Sequence, residues 1–236
     1  MELFSAQSPT GENLLPFRLH SKFDKLFFWI KWPAAIFSIL MVPGIISTFY
    51  HGNWNWSQLL DNYAFWGGIA GYFFLWKFFF QNPIWGTWFS TLEHELTHAL
   101  FALLTFHRVI GISTSYRSGG LTTYLGRGNW LITLAPYFFP TFSIVAIGLS
   151  KLFGFSPFTR QLVLGITVSY HLISTFGETH LGQSDLQEAG IFYSFLLLPG
   201  LNLYFYALIA AHMRIGFASI SRFHSTLGNS LETMFF

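Results

Sequence analysis

Apolar and polar stretches alternate along this chain in a pattern of six long apolar runs. They extend from about Leu26 to Tyr50, Tyr63 to Phe80, Ile84 to Phe106, Trp130 to Leu149, Gln161 to Phe176 and Ile191 to Met213. Each approaches the roughly 20 residues that a helix needs to cross a hydrocarbon layer about 30 Å thick. The pattern predicts an all-α polytopic membrane protein with about six transmembrane helices. Trp29 and Trp32 mark one interface, and Gln81-Asn82-Pro83 predicts a tight turn. Pro136 and Pro140 interrupt the fourth run, and Pro199-Gly200 the sixth. Residues 1–25 read as a polar N-terminal tail, 26–213 as one transmembrane domain and 214–236 as a C-terminal tail.

Two segments between the runs have a different character. Residues 109–128, VIGISTSYRSGGLTTYLGRG, carry Ile, Thr, Ser and Tyr on both sides of Ser118-Gly119-Gly120. This predicts a small membrane-associated β-hairpin. One use for it is connection; the other is an edge, around Gly119, Gly120, Leu121 and Thr122, that pairs with an extended substrate segment. Residues 177–190, GETHLGQSDLQEAG, gather Glu178, His180, Asp185 and Glu188 without a Lys or Arg. Acidic groups beside membrane spans need water or a metal.

Composition sharpens this picture. Hydrophobic residues make up 52% and charged residues 9%, against about 25% charged in a soluble domain. Mean hydropathy is +0.46, so the natural solvent is a bilayer and the expected location is an inner or plasma membrane, crossed several times. A net charge of +2 leaves no footprint for nucleic acid. The absence of cysteine excludes disulfides, thiolate nucleophiles and Cys-ligated zinc. Nothing in the sequence sets an oligomeric state. With the N-terminus inside, all but three of the 12 Lys and Arg fall inside; Arg108, Arg117 and Arg127, on the hairpin, fall outside.

The third run contains His94-Glu95-Leu96-Thr97-His98. On a helix, residues four apart stack on one face, so both imidazoles reach one ion. Glu95 is offset by about 100° and stands beside that ion as a base for water. Three ionisable groups in one turn of an apolar run are expensive without a partner. Zinc in a hydrolase takes three protein ligands. The third is absent from this helix, and the 177–190 segment is the nearest source. Asp185 is the first choice, with His180 and Glu178 as substitutes; as an alternative, Asp185 caps the following helix. His171 and Asn202 are candidates to stabilise an oxyanion, although each also suits a structural role.

HELTHAL at 94–100 within an apolar helix, followed by a Gly-bearing hairpin, resembles the site-2 protease group of M50 metallopeptidases, closest to its M50B-like branch. The resemblance covers roughly residues 84–190. It implies a Zn²⁺ enzyme that cuts membrane-embedded protein substrates, with His94 and His98 as ligands and Glu95 as catalytic base. It also implies a later Asp as third ligand, often in an Asp-Gly pair; this chain has none, and Asp185 stands in Ser184-Asp185-Leu186. The hairpin would bind substrate, and in the group it commonly lies on the cytosolic side, opposite to the charge count.

Two other readings compete. A di-iron hydroxylase or desaturase also uses H-x-x-x-H, but it needs further His boxes. The other seven histidines here are scattered and none adjoins another. A catalytically inactive M50-like scaffold would not need Glu95, which is intact.

Overall fold

The computed structural model describes residues 14–51, 61–81, 88–115 and 119–235. Helix α1 (Leu14–His51) is followed by α2 (Tyr63–Leu75), which ends in a π-helical turn (Trp76–Phe80), and by α3 (Trp88–Leu104). Strands β1 (Val109–Ser115) and β2 (Gly119–Tyr124) come next. Then follow α4 (Trp130–Leu134), a 3₁₀ turn (Ala135–Tyr137), α5 (Thr141–Leu152), α6 (Pro157–Glu178), α7 (Ser184–Ala189), α8 (Ile191–Ile215) and α9 (Phe217–Phe235). The chain is mostly helical, with one small antiparallel sheet.

Among the described residues six full crossings are not clear. By length and composition α1 (Leu19–Tyr50) and α8 (Ile191–Met213) can each cross a membrane. A third crossing results only if the broken pair Trp130–Tyr137 and Thr141–Leu152, bent by 79°, counts as one. That bend lies at Pro136 and Pro140, where two residues lack the N–H that a continuous helix requires.

Contacts give the helix directions. Trp32 meets Tyr193, and Ser38 Oγ donates to the Leu197 carbonyl, while Met41 and Ile45 pack with Ala207 and Ala211. Thus α1 and α8 are parallel. In the same way α2 follows α6: Gln161 meets Asn62, Ser169 meets Ile69, and Tyr170 meets Tyr72. Helix α3 runs with α6 too, since Phe89 meets Tyr170 and His94 meets Glu178. The step from Gln81 to Trp88 reaches at most about 25 Å, short of a hydrocarbon core of about 30 Å. Helix α3 therefore begins part-way along α6 and is not a separate return crossing, which corrects the third predicted span.

Small residues make the closest crossing possible. A Cβ on Gly68 would meet the Leu162 carbonyl, and one on Gly165 the Phe65 carbonyl, so α2 and α6 touch backbone to backbone, as membrane helices do at small residues. Many large apolar side chains face outward, among them Trp29, Phe74, Phe78, Leu152 and Phe192. A surface of this kind suits lipid and not water.

The hairpin pairs Ser115 with Gly119 through to Val109 with Tyr124, with an irregularity between Val109 and Gly111. Residues 116–118, with Ser118, lie outside the described residues; Gly119 and Gly120 begin β2. Helix α3 ends with Phe106 at φ 63° and His107 N–H bonded to the Ala102 carbonyl, a left-handed cap that turns the chain into β1. The hairpin's root is tied to α1: Asp24 lies 3.2 Å from His107 Nε2 and accepts from Asn129 Nδ2, and Trp130 Nε1 donates to the Phe27 carbonyl. Arg108 and the charged first third of α1 thus share one end of the bundle. The charge count places them on opposite sides because it gives α3 a crossing of its own. Residues 14–25, assigned to a tail by composition, continue α1, and α9 packs on α1 and α8 through Phe223 and Leu227.

Candidate metal centre

Helix α3 presents His94 and His98 on one face, with ring centroids 4.7 Å apart. Both are buried, 6% and 8% exposed. Asp185 comes from the first turn of α7, in the connection between α6 and α8. Gly190, at φ 95°, separates α7 from α8, so Asp185 belongs to its own short helix, which follows Gln183, and is not the cap of α8. Its Oδ2 lies 3.2 Å from His94 Nε2 and 3.3 Å from His98 Nε2. One ligand atom from each of the three residues falls within 4.8 Å of the others.

The partners of the other ring nitrogens define what this cluster needs. His98 Nδ1 lies 2.8 Å from the Ile132 carbonyl, which can only accept, so Nδ1 carries the hydrogen. His94 Nδ1 lies 2.7 Å from Glu178 Oε2 and donates for the same reason. In the neutral rings both Nε2 atoms are therefore bare lone pairs, and they face a carboxylate oxygen that is also an acceptor. Three acceptors converging on one point need a proton or a cation among them. The residues fit a divalent metal with a two-His, one-carboxylate donor set, a combination that zinc takes. Outer partners that orient ligating imidazoles are a regular feature of such sites. Tyr137 Oη donates to Asp185 Oδ2 at 3.0 Å. Burial alone would raise the Asp185 carboxyl, but when the two rings are protonated at Nε2 their hydrogen bonds outweigh this and hold it well below the usual carboxylate range.

The free carbonyl on Ile132 has a local cause. In a continuous helix it would accept from residue 136, but Pro136 has no N–H. The helix closes instead with Ala135 N–H on Ile132, and the second lone pair of that carbonyl serves His98. Tyr137 belongs to the same broken turn.

Glu95, 6% exposed, is held by the hairpin. Thr122 Oγ1 lies 2.6 Å from Glu95 Oε2 and 2.8 Å from the Glu95 carbonyl. A Cβ on Gly120 would collide with the Glu95 side chain, so glycine lets β2 lie directly on the carboxylate. A cavity of about 960 Å³ joins Glu95, His94, His98 and Asp185 to Gly119, Gly120, Leu121 and Thr122. The predicted site residues are thus brought together. The substitutes are not ligands of this cluster: Glu178 orients His94, and His180 is exposed. The oxyanion candidates lie elsewhere. Asn202 Nδ2 donates to the Tyr137 and Leu198 carbonyls, and His171 bonds Tyr206 Oη at 2.7 Å. Neither lines the cavity of Glu95. Sequence reasoning missed Tyr137, Thr122's bond to Glu95, the Ile132 carbonyl and buried Glu93, which Thr97 Oγ1 contacts at 3.2 Å. All but the last act across the fold, and only Pro136 offered a local sign.

No curated protein and no solved structure matches this sequence significantly. The sequence profile of the Peptidase M50B-like family matches residues 65–198, more than half of the chain, including α3, the hairpin, the broken helix and Asp185. With a two-His, one-carboxylate cluster inside the matched region, the chain belongs to the Peptidase M50B-like family of membrane metallopeptidases.

Proposed function

We propose that this protein is an intramembrane zinc metallopeptidase that cleaves a membrane-embedded protein substrate, and that it crosses the membrane more than once. The observation that carries the reading is the convergence of His94 Nε2, His98 Nε2 and Asp185 Oδ2, with Glu95 one residue from the first ligand. His94, His98 and Asp185 would hold the ion, which when bound supplies a Lewis acid that acidifies water and polarises a carbonyl.

The chain's own groups do the rest. Thr122 fixes Glu95 Oε2, so the carboxylate is set to take a proton from the attacking water and return it to the leaving nitrogen. Glu178 and Ile132 hold the rings of His94 and His98 in the tautomer that leaves each Nε2 bare. A substrate helix hides its carbonyls in its own hydrogen bonds and must unwind to be cut. The β2 strand offers backbone groups that hold the unwound segment extended.

The test uses the full chain in vesicles with a labelled single-span substrate. Metal content of about one zinc per chain and cleavage by the parent are expected, with Glu95→Gln keeping the zinc and losing cleavage. Cleavage that survives Glu95→Gln refutes the assignment. Two irons per chain would move the reading to a hydroxylase.

A further inference from the structure

The cavity around Glu95 is far larger than its chemistry requires. At about 960 Å³ it stands at the top of the range of about 300–1,000 Å³ for ligand sites. It also has two unlike ends. Near the metal-binding cluster its wall is polar, with Thr122, Glu178, Gln183 and Ser184. Along α6, away from the cluster, the wall turns aromatic. Tyr170, Ile173, Ser174, Gly177 and Glu178 all line the cavity, at the spacing of one helical face. The rings of Tyr72 and Phe89 each stand 5.8 Å from that of Tyr170 at steep angles. Trp76, Phe80 and Trp88 complete the wall. No charged side chain among the described residues lines this end.

Eight residues of helix separate Tyr170 from Glu178, about 12 Å. An extended peptide covers that distance in three or four residues at about 3.3 Å each. Helix α6 runs towards the end of the bundle that carries Glu178, so Tyr170 lies on the membrane-interior side of the cluster. We infer that the aromatic end is a specificity subsite: it takes a large apolar or aromatic side chain of the substrate, three or four residues from the cleaved bond, on the side that stays in the membrane. The inference rests on the peptidase reading of the same cavity. Stacked and edge-on rings gain more from a flat or bulky side chain than from alanine. The side chain leaves lipid and not water, so the gain is that of ring packing, and replacing Ala by Phe at the matching position should tighten binding about threefold to tenfold.

Gly177 supplies the probe. It lines the cavity between the two ends, and a Cβ there would meet nothing within 4 Å. Gly177→Leu therefore puts a side chain into the passage without displacing backbone, while Tyr170→Ala removes the ring at the centre of the wall. The assay uses zinc-loaded full chain in phosphatidylcholine vesicles with synthetic Leu-rich single-span peptides. They differ at one residue, Ala or Phe, walked along the segment. Binding is read on Glu95→Gln protein by energy transfer, and cleavage on the parent by mass spectrometry. The expected result is one position where Phe binds about threefold to tenfold tighter than Ala, with that advantage lost in Gly177→Leu or Tyr170→Ala. Equal binding of Ala and Phe at every position overturns the subsite, as does a Phe advantage that survives both variants. A Phe advantage lost in a variant, without cleavage by the parent, keeps the subsite and removes the peptidase reading. Cleavage without a Phe advantage does the reverse.

Discussion

Glu178 separates an orienting role from a ligating one. Its Oε2 accepts from His94 Nδ1 at 2.7 Å, and its own Oε1 accepts from Ser174 at 3.3 Å. A hydrogen bond with one charged partner contributes about 1.5–3 kcal/mol. The Glu178 side chain is 26% exposed, so solvent competes and the lower figure applies. At about 1.4 kcal/mol per factor of ten, Glu178→Ala should weaken zinc binding about tenfold. That agrees with the roughly 10–100-fold effect of losing an outer partner at other metal sites. The stoichiometry should stay at one zinc per chain. Glu178→Gln keeps an acceptor without the charge and should cost less, about threefold. Asp185→Ala removes a donor atom and should lose the ion at concentrations where Glu178→Ala is still loaded. The assay is competition with a chelating fluorophore, checked by mass-spectrometric metal content. If Glu178→Ala loses zinc as completely as Asp185→Ala, Glu178 is a ligand and the assignment fails. If its affinity equals that of the parent, the orienting bond has no effect and the reasoning fails instead.

Three further outcomes are expected. Thr122→Val should retain zinc but lower turnover about tenfold, since Glu95 loses a charge-assisted bond; unchanged turnover at full metal content would remove the hairpin from the mechanism. Pro136→Ala restores an N–H that competes with His98 for the Ile132 carbonyl, and should weaken zinc binding about threefold to tenfold; an unaltered dissociation constant contradicts the link. Zinc binding should weaken as pH falls because protons compete for the two Nε2 lone pairs. Asp185, held well below the usual carboxylate range, stays charged above ordinary carboxylate values, so the plot of log affinity against pH should approach a slope of about two. A slope of three measured above pH 5 would show that the carboxylate titrates as well.

Much of the chemistry was readable along the chain because it is local. His94, Glu95 and His98 occupy one helical turn, and a turn's geometry follows from spacing alone. Asp185 was reachable by elimination, since 177–190 is the acidic stretch without basic partners. Helix directions were not readable. Apolar length marks α3 as a crossing, but whether a helix returns through the bilayer depends on its neighbours, and Phe89 meeting Tyr170 shows that it does not. The roles of Glu178, Ile132 and Thr122 were hidden for a related reason. Each is fixed by a contact between elements far apart in sequence, such as the 84 positions between His94 and Glu178. Asn202 illustrates a different case: a polar residue in an apolar helix suits chemistry or structure, and its amide serves backbone carbonyls next to Pro136 and Pro199.

On the proposed peptidase reading, the placement of Asp185 in the connection between α6 and α8 would have an outcome for the fragments. A connection lies at an end of the bundle, so a bond cut there lies near one face of the membrane. A substrate anchored by a single helix is then divided unevenly. One fragment keeps nearly the whole anchor and stays behind, while the other carries only a few apolar residues and dissolves away. Which domain of such a substrate would become diffusible is then decided by the end at which Asp185 stands, and reversing the substrate's orientation would release the opposite domain or none.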